Sequence, residues 1–218
     1  MRFFASIIWI GFISLGLQAN AQEGEYVVPD YKGMMESYFS LKDSTIRAEI
    51  GSFSFTGSML GISGKAPLRQ FELHSQTKYT ITLAHDDKKV HVSKMPFYSS
   101  GHRFGFYGPQ NHLYKIDGRY FWGFDGRMPT RRLVYIRVYI GEQQIDLPVR
   151  AFRDIYEPNF CSRQGLFGRW ECNTKAFLSE DGERLYIYMK NSRIPSLYEV
   201  TWIIENGKYL GRVVDYAY

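Results

Sequence analysis

The sequence predicts an all-β protein, an antiparallel β-sandwich with minor short helices and one disulfide-closed loop. Three observations carry that expectation. Tyr (17) and Phe (16) are abundant and recur with Val, Ile and Thr in short runs that alternate with polar residues, which is the period-two signature of half-buried strands. Turn residues punctuate these runs at short intervals, and segments with helical spacing are few. Two cysteines, Cys161 and Cys172, flank a stretch containing Gly165 and Gly168, which tolerate the positive φ angles of a tight reversal.

In chain order, residues 1–21 have the layout of a secretory signal peptide. Arg2 supplies a positive start, residues 3–17 form an apolar run, and Ala19 and Ala21 place small side chains around the cleavage point before Gln22. The apolar run is short for a bilayer span, which disfavours an uncleaved anchor. Residues 22–218 then read as a single all-β domain. In an exported chain an even number of cysteines argues for a disulfide, so Cys161–Cys172 is expected to bridge the base of a hairpin or loop.

Residues 33–42 place Met34, Met35, Tyr38, Phe39 and Leu41 near helical spacing, and a short helix is expected there. Gly57, Gly61, Gly64 and Lys65 resemble a phosphate loop only superficially. Met59 stands where its first glycine belongs, and Ala66 offers no hydroxyl for magnesium. The stretch reads as a glycine-rich turn between strands. Residues 77–83 put Tyr79, Ile81 and Leu83 on one face of a strand that turns at 85–88 into 90–92. Residues 133–140 set Val134, Ile136, Val138 and Ile140 against Tyr135, Arg137 and Tyr139, and Gly141-Glu142 turns them into 144–147. Alternation lapses across 148–158, which reads as one or two helical turns within a crossover between two sheets, with a weak domain boundary as the alternative. Residues 184–189 and 198–204 read as strands, and Asn206-Gly207 is a type I′ hairpin signal leading into 208–216.

The formal net charge of +5 arises from interleaved bases and acids rather than from a basic face, so nucleic-acid binding is not expected. Nothing after residue 21 is long and apolar enough for a transmembrane helix. No two histidines show the i, i+4 spacing of a helical zinc motif. His85, Asp86, Asp87 and His91 read as a solvated hairpin rather than an ion site, and Asp117-Gly118 and Asp125-Gly126 lack the oxygen density of a calcium loop. Gly-x-Ser-x-Gly does not occur. No metal and no cofactor are expected.

The segment with most functional texture is 101–132, where Asp-Gly-Arg occurs at 117–119 and again at 125–127, bracketing 120–124. It reads as a short aromatic strand with an Asp-Gly turn at each end. One face is expected to offer Tyr120 and Trp122 as a platform rimmed by His102, His112, Asp125 and Arg127, suited to a carbohydrate or protein partner. On that reading Trp122 is exposed, and Trp122→Ala abolishes capture without disturbing the fold. The expected protein is therefore exported, to the periplasm or the medium, as a soluble non-catalytic binding or structural module. Two alternatives stay open: a small outer-membrane β-barrel, and a secreted hydrolase whose site assembles from distant strands.

Overall fold

The described part of the computed structural model covers residues 36–123, 126–163, 170–193 and 196–217; residues 1–21, with the signal-peptide reading, lie outside it. The first regular elements are two helices that the alternation pattern did not anticipate. Asp43 caps α1 (Ser44–Phe53) by accepting the Thr45 and Ile46 N–H groups, and Ser54 caps α2 (Phe55–Met59) through the Gly57 N–H, as short polar side chains do at helix starts. Of the helix expected at 33–42, the described residues form only a single 3-10 turn at Tyr38–Ser40. Gly57 likewise stands inside α2, and a Cβ there would lie 1.8 Å from the Gly51 carbonyl oxygen. Glycine is therefore required for two helices to touch, not for a turn between strands.

The strands follow in chain order. β1 (Arg69–Gln70), β2 (Glu72–Gln76), β3 (Thr80–His85) and β4 (Lys88–Pro96) lead into a small excursion of β5 (Phe104–Tyr107), β6 (His112–Ile116) and β7 (Arg119–Tyr120). The chain returns through β8 (Arg131–Ile140) and β9 (Gln143–Asp146), crosses over by residues 147–160, and continues as β10 (Cys161–Arg163) and β11 (Trp170–Cys172). β12 (Thr174–Leu178), β13 (Arg184–Arg193), β14 (Ser196–Glu205) and β15 (Lys208–Asp215) complete it. Among the described residues the strands pair antiparallel throughout, in an inner sheet ordered β1-β12-β13-β14-β15 and an outer sheet ordered β2-β3-β4-β8-β9, with β5-β6-β7 and β10-β11 as satellites.

Alternation decides which face each side chain takes. Leu185, Ile187 and Met189 of β13, with Val200, Trp202 and Ile204 of β14, meet Ile81, Val90, Val92, Ile136 and Val138 of the outer sheet in one core. The intervening Tyr186, Tyr188 and Ile203 point the other way and pack with Ile46 and Ile50 of α1. The centre of the inner sheet is thus buried on both faces, which is why apolar side chains occur in succession in β12, β13 and β14. Neither five-stranded sheet closes on itself among the described strands, and the space between them is filled with side chains.

Most turns match their sequence signals. Asn206 and Gly207 take φ angles of 49° and 71°, as a type I′ hairpin requires. Cys161 and Cys172 face each other across β10 and β11 and are disulfide-bonded. One expected face is corrected. A register shift opposite Ser93 and Lys94 leaves Val134 unpaired in β8, so Val134 is 37% exposed while Leu133 enters the core. Tyr79, expected beside Ile81, lies outside β3 and is exposed.

Candidate functional site

Among the described residues the aromatic segment does not continue as the strand expected at 120–124, whose last residue lies outside them. Asp117 and Gly118 do make a positive-φ turn between β6 and β7, but β7 ends at Tyr120. The chain then leaves the small sheet: Trp122 donates its N–H to the Asp154 carbonyl and accepts from the Tyr156 N–H, both at 2.7 Å. This bridge fastens the segment to the crossover and drives Trp122 inward. Trp122 is only 4% exposed, with its ring 5.0 Å from Tyr216 and 6.3 Å from Tyr198. An exposed Trp122 platform is therefore corrected to a core position.

The other expected site residues scatter. His102 is half-buried, its Nδ1 2.7 Å from Asp117 Oδ2 and its ring against Phe97. Asp117 also accepts the Arg103 N–H; that hydrogen bond first, and His102 second, hold its carboxyl below the usual range. This pair closes the turn of the small sheet. His112 packs over Gly126, where a Cβ would come within 2.5 Å of its Nδ1. Arg127 is exposed, and Asp125 lies outside the described residues. Tyr120 is half-buried beside Tyr114, with Lys115 Nζ 4.5 Å from its ring centroid, and it lines a substantial cleft.

That cleft, of about 510 Å³, lies where three segments converge. β7 contributes Arg119 and Tyr120, the crossover contributes Arg150, Arg153 and Asp154, and β15 contributes residues 209–212. Its back is organised by Arg212, whose side chain is 7% exposed. The guanidinium donates to both Asp154 carboxylate oxygens at 2.6 Å, to Glu36 Oε2 at 2.7 Å, and to the Ala151 carbonyl at 2.9 Å. Trp202 Nε1 donates to the same carbonyl at 2.7 Å, so the inner sheet and the crossover share one polar anchor. Burial opposes the charge on Arg212, but Asp154 and Glu36 outweigh it and leave its pKa raised. Breaking such a buried pair typically costs about 3–5 kcal/mol. Burial also pushes the neighbouring Tyr209 hydroxyl up to about 12. By contrast Arg119, Arg150 and Arg153 are exposed, and among the described residues none of the three has a carboxylate within ion-pair distance.

A second concavity, of about 350 Å³, lies on the solvent face of the outer sheet around His91, Tyr135 and Arg137. Its polar groups are mutually engaged. His91 contacts Thr82 Oγ1 at 2.8 Å and Tyr135 Oη at 3.0 Å, while Arg137 stacks over Tyr135 and donates to Asp146 at 2.6 Å. Burial, then the Arg137 charge, depresses the His91 pKa and so disfavours the charged imidazolium.

Buried carboxylates elsewhere serve the fold. Glu199 accepts the Phe55 and Thr56 N–H groups and the Tyr188 hydroxyl, Glu49 accepts from Arg184 and Tyr186, and Glu157 accepts the Arg131 N–H and the Thr130 hydroxyl. Among the described residues no group of three or more His, Cys, Asp and Glu side chains converges as a metal site, and no helix is long and apolar enough to cross a membrane. Sequence reasoning missed Arg150, Arg153 and Arg212. The only signal for them is a scatter of arginines, and only the fold brings it together. Comparison with protein-family models found no match, and neither did searches of curated proteins and of solved structures.

Proposed function

We propose that this protein is an exported, non-catalytic binding module whose ligand occupies the cleft between β7, the crossover and β15. One observation carries the reading. Three arginines stand around a cleft of about 510 Å³ with no carboxylate partner among the described residues, while the group behind them, Arg212, is locked by two carboxylates. A rigid, satisfied back wall and an unsatisfied mouth are what a preorganised recognition site needs. The disulfide and the signal-like residues 1–21 support export. Carbohydrate or protein partners of the aromatic segment meet the same cleft through Tyr120.

The test is amide chemical-shift mapping on labelled protein purified from the native secretion route, titrated with panels of oligosaccharides and short peptides. The expected result is a saturable shift confined to the amides of Tyr120, Asp154, Leu210 and Gly211, and an N-terminus at Gln22. Saturable shifts centred on the His91 face, or none with any panel, would overturn the cleft as the site. Retention of residues 1–21 would overturn the export half.

A further inference from the structure

We infer that the cleft receives a polyvalent oxyanion, a ligand carrying two or more carboxylate or phosphate groups, gripped by Arg119, Arg150 and Arg153. This rests on the cleft being the ligand site and adds the chemistry of what enters it. Among the described residues, four arginines line the cleft and no lysine does. The planar guanidinium fork pairs bidentately with carboxylate and phosphate, where an ammonium acts only as a point charge. The two carboxylates in the lining, Glu36 and Asp154, both turn to Arg212 and make no ion pair with the other three. Among the described lining residues four arginines therefore face two carboxylates, and the cleft keeps a net positive charge.

The arrangement also says how many anionic groups are needed. Arg119 stands on β7, whereas Arg150 and Arg153 stand on the crossover, so the charges come from two separately anchored elements. A single small anion satisfies one element; a ligand with spaced anionic groups satisfies both. Recognition by side chains rather than by strand addition follows from the edge of β15. A register shift between Ile203 and Ile204 leaves Leu210 unpaired where β15 meets the cleft, and such bulges disrupt pairing along an edge. Further along, the Val214 N–H is already taken by the Glu36 carbonyl at 2.8 Å.

The experiment is titration calorimetry at low ionic strength on the folded chain lacking residues 1–21, with citrate, inorganic pyrophosphate, trigalacturonate, its methyl ester as a neutral counterpart, and acetate. We expect one or more polyanions to bind, acetate and the ester to bind far more weakly, and affinity to fall as salt is raised. Arg119→Gln and Arg153→Gln should each lower affinity about ten-fold or more, as loss of a charge-assisted hydrogen bond does, with thermal unfolding unchanged because both side chains are exposed. Preference for citrate or trigalacturonate identifies a carboxylate ligand, and preference for pyrophosphate a phosphate one. If the ester binds as well as the acid and Tyr120→Ala abolishes both, the oxyanion assignment fails while the cleft stands. If polyanions bind equally to the parent and to both arginine variants, the cleft fails as well. No binding of any polyanion overturns the inference.

Discussion

Trp122 and Tyr120 are two residues apart, so simple alternation puts them on one face, yet one lines a cleft and the other fills the core. The reason is local: β7 ends at Tyr120, and the bridge from Trp122 to Ile155 redirects the chain. A period-two pattern shows parity within a strand but not where the strand stops, and the partners that bury Trp122, Tyr198 and Tyr216, lie far along the chain. Trp122→Ala should accordingly be a stability variant. We expect a loss of about 3–5 kcal/mol, the range for deleting a buried aromatic side chain, measured by urea denaturation. An unchanged midpoint with lost ligand capture would restore the exposed-platform expectation. Leu133 and Val134 show the same limit, since the bulge that exchanges them lies in β8 and shows only in its register against β4.

At the scale of elements, the hairpins were readable because their turns are encoded by adjacent residues, Asp86-Asp87, Gly141-Glu142 and Asn206-Gly207. The helices were not. α1 and α2 are short and contain Gly51 and Gly57, residues of poor helix propensity, and their docking depends on Glu49 and Glu199 reaching partners more than a hundred positions away. The terminal strand shows a titratable anchor of the same kind. Burial lifts the Asp215 carboxyl above its ordinary value, and the Ser37 hydroxyl and Tyr38 N–H only partly counter it. An acid whose pKa is raised on folding binds its proton more readily in the native state, so acidification favours the native state at this site. Its ionised form costs stability at neutral pH, and that cost disappears as pH falls through the raised pKa towards the unfolded value of about 3.9. The stability difference between the parent and Asp215→Asn should therefore move in favour of the parent between about pH 7 and about pH 4, read from denaturant melts across that range. Movement towards the variant would contradict the assigned direction.

For the whole molecule, the layered core makes the disulfide a supplement rather than a prerequisite. Cys161–Cys172 closes a sequence separation of only 11 residues, whereas the core between the sheets draws on strands from both halves of the chain. Replacing both cysteines with serine should cost about 2–3 kcal/mol, the chain-entropy range for so short a loop, and leave a single cooperative transition by calorimetry. Loss of cooperativity would show that the bridge, not the core, unites the sheets. The all-β architecture was legible because periodicity is local. The arginine cleft was not, because its parts meet only in three dimensions: Arg212 is separated from Asp154 by 58 positions and from Glu36 by 176. That separation has a kinetic corollary. Contacts so distant in sequence form slowly during folding, and β15 is the last of the described strands. On the proposed reading, a molecule in which β15 has not docked has no back wall for the cleft, so ligand binds and stabilises only molecules in which that strand is in place.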